Sequence, residues 1–302
     1  MAGAVAGRCS PTRERRPCVG VARWSLAVAA LVAGLAGCAP SGGGGDAPDP
    51  CAGAAADGSG AAGLDAERRL RADRIVSLFE NDTIEIQYAY VEALDDGRGY
   101  TAGRAGFTTA TGDALRVVER YAADVPDAAL AAFLPRLTEL AAAEDGSLEG
   151  LEGYPEAWAE AAGDERFRAA QDEVVDELYF EPALARSCAL GLHTPLGVTV
   201  LYDTIIQHGE GDDPDGLPAL ADRAVDRAGG SPATGVGERA WLGTFLDLRR
   251  QTLEHASDPE TRVAWAESVS RVDILAAILD QGNLSLDGPI PVDDPEHRAI
   301  VP

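Results

Sequence analysis

The sequence contains no lysine; all 25 of its basic residues are Arg. That absence excludes a Walker-type phosphate loop, a Schiff-base lysine and a Ser–Lys pair together. Bases are also scarce against 50 acids, and the formal net charge is −25. A basic footprint for nucleic acid is therefore missing, and no nucleic-acid partner is expected. The five Cys and four His are scattered and include no CxxC, so no zinc-type ligand set is expected. No GxSxG occurs, which removes the usual serine-hydrolase signature.

What is present is an apolar content of 46% over 302 residues, enough for one large domain or two small lobes with a real core. The first 37 residues read as an export signal. Arg13, Arg15, Arg16 and Arg23 form a positive region ahead of the apolar run Trp24 to Gly34. That run is shorter than the roughly 18 residues needed to span a bilayer. It ends in Leu35-Ala36-Gly37-Cys38, which resembles the bacterial lipoprotein signal, with lipid carried on Cys38. The plain alternative is a simple cleavage site beside an ordinary Cys. Either way the expected location is extracellular, with a membrane contact only through that anchor.

Residues 38–66 are expected to hold the lipidation site and a flexible linker, rich in Gly, Ala, Ser, Pro and Asp. The folded domain is expected over 67–302 as a monomer. After loss of residues 1–37 it retains 20 Arg against 49 acids, a net charge of −29. Two readings compete for this acidity: surface hydration under salt, or attraction of a polycationic substrate. Cys188 lies in an apolar helical stretch and reads as a small core residue. A disulfide between Cys51 and Cys188 is permitted outside the cell.

Most of the domain reads as helix. Ala72, Ile75, Val76 and Phe79 recur at helical spacing, as do Ile84, Tyr88 and Val91 in the next segment. Leu130, Phe133, Leu134, Leu137 and Ala141 make a third stripe, interrupted by Pro135. Further helices are expected near 112–123, 165–180, 196–208, 216–228, 238–256 and 259–281. The segment 97–111, rich in Gly and Thr after an Asp96-Gly97 turn, reads as a small sheet. The last dozen residues read as a loosely ordered tail. The fold class is thus mainly α with a small β-sheet.

Glu80 continues the apolar stripe of its helix, close to the helix end. Partial desolvation and the negative end of the helix dipole both oppose its ionisation, which suits a general acid. A Glu at a fraying helix end that simply faces water is the alternative. Asp96 lies sixteen positions further on, at the entry of a hairpin. It is either a plain Asp-Gly turn or a second carboxylate facing Glu80, the pair that an inverting glycosidase uses. Asp203, Arg249 and Arg271 each stand on an apolar helical face. Buried charges need partners, so the three are expected to form an Arg–Asp–Arg cluster, purely structural or held behind the acid.

Phe79-Glu80-Asn81, Gln87 to Glu92, Asp96-Gly97-Arg98-Gly99-Tyr100-Thr101, Gly106-Phe107-Thr108 and Thr111-Gly112-Asp113 together resemble the chitosanases of glycoside hydrolase family 46. Weaker echoes, including His208-Gly209, Phe245 to Arg249 and Ser270 to Asp273, extend the resemblance over about 70–290. It implies a lysozyme-like fold of two lobes with a cleft between them, binding chitosan or glucosamine oligosaccharides, with no cofactor and no metal. It implies endo-hydrolysis of β-1,4 links with inversion, Glu80 as general acid, Asp96 as general base and Thr101 helping to place the water. Arg98, Tyr90, Asp113 and His208 match substrate-binding positions. Asp203, Arg249 and Arg271 match a supporting ion-pair network, with Arg262 as a competitor for the last role. Glucosamine carries ammonium groups, so the resemblance also gives the acidity a reason beside salt adaptation. The other readings are a lysozyme-like cell-wall hydrolase, which the negative charge opposes, and a non-catalytic amino-sugar binder, which the carboxylate pair opposes.

Overall fold

The computed structural model of the chain describes residues 64–302 apart from 95 and 260. The expected export signal, Cys38 and most of the expected linker lie outside the described residues. Leu64 is already buried, and the Asp65 carboxylate caps the first helix by accepting the Arg68 N–H at 2.8 Å. Helix α1 (Ala66–Asn81) buries the expected stripe Ala72, Ile75, Val76 and Phe79. It stops one residue after Glu80 because Asp82 adopts a left-handed backbone, φ 54°, which Asp tolerates better than most residues.

The next segment is not the helix that Ile84, Tyr88 and Val91 suggested. It runs through bends and a turn into strand β1 (Val91–Ala93). The reason is local. The Tyr88 carbonyl accepts from Trp158 Nε1 and from Gln171 Nε2, both at 3.0 Å, so side chains hold this backbone outside any helix. Strands β2 (Tyr100–Ala102) and β3 (Phe107–Thr108) complete an antiparallel sheet in the order β1-β2-β3. Glu92 lies opposite Thr101, and Thr101 opposite Thr108. The sheet thus begins earlier than the expected 97–111.

Helix α2 (Asp113–Asp124) follows, then a 3₁₀ turn and α3 (Leu134–Ala143). Pro135 sits in the first turn of α3, where its missing N–H costs nothing, so it starts a helix rather than interrupting one. Helix α4 (Tyr154–Ala161) was not expected, although Tyr154, Ala157, Trp158 and Ala161 have helical spacing and are buried. Helix α5 (Glu165–Val175) continues through a π-helical turn, Asp176–Phe180, into α6 (Glu181–Leu190). Cys188 on α6 is half-buried and disulfide-bonded, not a free core thiol. The other four cysteines lie outside the described residues.

Helix α7 (Pro195–His208) is buried at every position, which marks it as a core helix packed on all sides. Helices α8 (Leu217–Ala228), α9 (Glu238–Glu254), α10 (Arg262–Ala266) and α11 (Val269–Asp280) follow. The expected single helix over 259–281 is broken between α10 and α11. There the Ser268 hydroxyl donates to the Trp265 carbonyl at 2.8 Å and accepts from Gln207. The expected loose tail is instead an antiparallel hairpin, β4 (Ile290–Asp293) and β5 (Arg298–Val301). Ile290, Val292 and Val301 are buried, and the Pro302 carbonyl accepts from Arg71 Nε at 3.0 Å. Alternate burial on a short hairpin supplies the apolar face that a Pro- and Asp-rich sequence obscures.

Candidate active site

Glu80 reaches its position because α1 carries it to the helix end on the apolar side. There its Oε1 accepts from Arg271 Nη2 at 2.7 Å. The same nitrogen donates to Asp203 Oδ1 at 2.6 Å, and Arg249 Nη1 lies 2.6 Å from Asp203 Oδ2. Four helices therefore deliver one chain of charge: Glu80 from α1, Arg271 from α11, and Asp203 on α7 shared with Arg249 from α9. The side chains of Asp203 and Arg249 are 0% exposed and that of Arg271 is 2%, while Glu80 keeps 13%. Only the outermost carboxylate of the chain can meet solvent or a ligand.

The inner end is closed by neutral polar groups. Arg249 Nη2 donates to Gln207 Oε1 at 2.6 Å, and its Nε donates to His208 Nε2 at 3.3 Å. His208 in turn donates from Nδ1 to the Asp215 carbonyl at 2.9 Å. Burial first, and then the Arg249 charge, push the His208 pKa well below its usual value, so the ring is neutral in that tautomer. Burial opposes ionisation of Asp203, but the two guanidinium groups outweigh it and hold its carboxyl below the usual range. Burial pushes Arg249 down to about 10, against the pull of Asp203.

This placement differs from the sugar contact expected for His208. The residue is 6% exposed, and both ring nitrogens are engaged behind Arg249. Arg262, the competitor for the Arg271 position, instead donates to the Ala256 carbonyl at 3.1 Å.

Asp96 sits in the loop between β1 and β2. Its Oδ2 accepts from Arg98 Nη2 at 2.6 Å and Nε at 2.9 Å, and its Oδ1 accepts the Arg98 N–H at 3.0 Å. Burial opposes its ionisation, but the hydrogen bonds and charge of Arg98 prevail and hold the carboxyl below its usual range. The loop needs glycine at Gly99, where φ is +79° and a Cβ would fall 2.1 Å from Thr109 Oγ1. Thr101, on β2, is 1% exposed, and its hydroxyl has no hydrogen-bond partner among the described residues.

The other expected contacts are placed as follows. The Tyr90 hydroxyl donates to Glu92 Oε2 at 2.9 Å. Asp113 opens α2, and its Oδ1 accepts from the Thr108 N–H, the Thr111 hydroxyl and the Ala114 N–H. Burial nevertheless raises its pKa, against those hydrogen bonds. Tyr179, on the π-helical turn, was not singled out in the sequence. Burial raises its hydroxyl pKa; Asp113 and Glu80 add to this, while Arg116 and Arg98 oppose it.

A second buried network also escaped the sequence. Arg104 Nη2 lies 2.8 Å from Asp73 Oδ1, Tyr202 donates to the same oxygen at 3.1 Å, and Arg69 Nε donates to Asp73 Oδ2 at 3.2 Å. Asp73, Arg104 and Tyr202 line a small cavity together with Glu80. The available signal was two charged residues, Arg69 and Asp73, one turn apart beside an apolar stripe.

A carboxylate near a protein surface, backed by buried guanidinium, and a second carboxylate held ionised on another element are the parts of a glycosidase acid–base pair. The class is therefore a glycoside hydrolase built on helices with a small sheet. The chain belongs to glycosyl hydrolase family 46, whose family model matches residues 74–290. It is 52% identical over 241 residues to a chitosanase of Bacillus subtilis strain 168, covering 80% of this chain and 87% of that protein. Its fold is similar to a Gynuella sunshinyii chitosanase solved with chitotetraose, at TM-score 0.71 and 55% identity, covering 79% of this chain and 99% of that one. A mutant chitosanase from Bacillus subtilis MY002 complexed with 6 GlcN gives TM-score 0.72 and 50% identity, covering 80% and 100%. Both have the lysozyme-like architecture of the family.

Proposed function

We propose that this chain is an endo-acting, inverting chitosanase. Glu80 protonates the glycosidic oxygen, and Asp96 takes a proton from a water that attacks C1 from the far face of the sugar. The bond between C1 and the leaving oxygen breaks as the bond from water to C1 forms. The observation that carries this reading is the chain Glu80–Arg271–Asp203–Arg249, which presents a single carboxyl to solvent from an otherwise buried network. Arg271 orients that carboxyl. Arg98 keeps Asp96 ionised, and Thr101, whose buried hydroxyl has no partner among the described residues, helps to place the attacking water. Tyr90, Asp113 and Arg98 line the sugar path in a cleft between two lobes, where carboxylates select ammonium-bearing units. His208 and Gln207 act from behind by holding Arg249. The reading needs no metal and no organic cofactor.

The same proposal covers the rest of the chain. Residues 1–37 are an export signal, 38–66 an anchor and linker with lipid on Cys38, and 67–302 the catalytic domain, working outside the cell as a monomer. Mass spectrometry of the membrane fraction of an expressing bacterium tests the anchor: a diacylglycerol adduct on Cys38 is expected.

The activity is tested on highly deacetylated chitosan by viscosity and by proton NMR of the first products. A rapid viscosity fall with the α-anomer appearing first is expected. Release of the β-anomer first, or an intact polymer, would overturn the reading. The pH dependence follows from Asp96. Its carboxyl is held below the ordinary 3.8, so it stays ionised as pH falls, and the acid loss from Asp96 lies below that value. Arg98→Gln removes the stabilising charge and leaves the burial. The acid limb of the kcat/KM profile is then expected to move to higher pH.

A further inference from the structure

The tip of the C-terminal hairpin touches both helices that make the Glu80–Arg271 pair. The His297 ring lies 5.9 Å from the ring of Phe79 on α1, and His297 Nδ1 is 3.2 Å from Oδ1 of Asp82, the residue that ends that helix. These two residues flank Glu80. On α11, the Ser270 hydroxyl donates to Glu296 Oε2 at 2.8 Å, one position before Arg271. Phe79 closes the loop, because the Arg271 guanidinium carbon stands 5.4 Å from the same ring's centroid. The tip is itself a tight turn, with the Glu296 N–H on Asp294 Oδ1 at 3.0 Å and the Asp294 N–H on the His297 carbonyl at 2.9 Å. The root is fastened to α1 by Arg71, which donates to the Pro302 carbonyl at 3.0 Å and the Leu286 carbonyl at 3.2 Å. The tip lies beyond the stretch that the family model matches, which ends at 290.

We propose that Glu296 and His297 are positioning residues for the general acid: the hairpin tip clips α1 to α11 and sets the Phe79 ring against which Arg271 orients Glu80. Glu80 hangs near a helix end, and the left-handed Asp82 lets the chain turn away immediately after it. One nitrogen of Arg271 serves both Glu80 and Asp203, so a small rotation of that guanidinium trades one contact against the other. The tilted ring contact and the Ser270 hydrogen bond resist such a rotation from outside the network. Neither His297 nor Glu296 touches the reacting atoms, and the role rests on Glu80 being the acid.

The test compares His297→Ala, His297→Phe and Ser270→Ala in the full chain, with kcat and KM measured on chitosan and folding followed by circular dichroism. His297→Ala is expected to lower kcat about 10-fold with KM changed less than about twofold, since a misplaced acid weakens the transition state and not sugar binding. His297→Phe keeps a ring against Phe79 and is expected to recover most of kcat. Ser270→Ala is expected to lower kcat by about threefold and carries the test if His297→Ala does not fold. A parent-like kcat in folded His297→Ala, a loss confined to KM, or a His297→Phe variant as slow as His297→Ala would overturn the proposal. A parent that leaves chitosan intact would instead overturn the activity on which it rests.

Discussion

Glu80→Gln and Asp96→Asn are each expected to lower kcat on chitosan by about 100- to 10,000-fold, with the fold intact. The amide of Gln can still accept the Arg271 hydrogen bond that Glu80 receives at 2.7 Å, so the network survives while the transferable proton is lost. At Asp96 the substitution removes the base, and the amide cannot draw the Arg98 fork as the carboxylate does. The two losses have different signatures. A glucosamine oligomer with a nitrophenolate leaving group needs little protonation. Glu80→Gln is therefore expected to cut it within about 10-fold of the parent rate, and Asp96→Asn to stay slow on it. Equal slowing of both variants on the activated substrate would reverse the assignment of Glu80 as the acid. A nearly normal rate for either variant on chitosan would remove that residue from the chemistry.

The charged core was legible because electrostatics penalises any other outcome. Asp203, Arg249 and Arg271 each occupy an apolar helical face, and a charge on such a face must find an opposite charge nearby. The sequence grouped the three, but that one Arg271 nitrogen serves both Asp203 and Glu80 is seen only where helices α1, α7, α9 and α11 come together in the tertiary fold. Neutral groups carry no comparable signal. Gln207 and His208 sit on a helix buried on all sides, where the hydrophobic pattern has no polar face to mark their direction. His208 accordingly read as a sugar contact and lies behind Arg249 instead.

Helices with one apolar stripe were read from their period, as α1, α2, α8 and α9 show. The errors fall where a side chain decides the backbone. Trp158 and Gln171 hold the Tyr88 carbonyl out of a helix, and Ser268 parts α10 from α11. Those contacts join residues 70 or 83 positions apart in the first case, well outside any local window. The final hairpin failed for another reason. Its buried set is only Ile290, Val292 and Val301, and the intervening Asp and Pro residues outweigh them in composition.

Asp203→Ala is expected to cost about 3–5 kcal/mol of stability, because it strands two buried guanidinium groups that the carboxylate now bridges at 2.6 Å on each side. For a domain of this size that corresponds to a fall in Tm of roughly 6–20 °C by calorimetry. The pH dependence has a definite sign. The folded-state carboxyl of Asp203 lies below its usual value, so its contribution is present above the unfolded value and fades as pH falls through the folded one. The variant's deficit against the parent should therefore be full near neutrality and shrink in acid. Stability and catalysis can then be separated. Replacing all three charges together, as Asp203→Leu, Arg249→Met and Arg271→Leu, removes the desolvation cost along with the pairing, and such cores are often as stable as the ionic one. The triple variant is expected to regain most of the lost Tm yet remain slow on chitosan. Its Glu80 would have no guanidinium to hold it, and a correctly folded pocket with an unheld acid loses transition-state stabilisation all the same. Parent-like kcat in that variant would mean that the network supports only the fold.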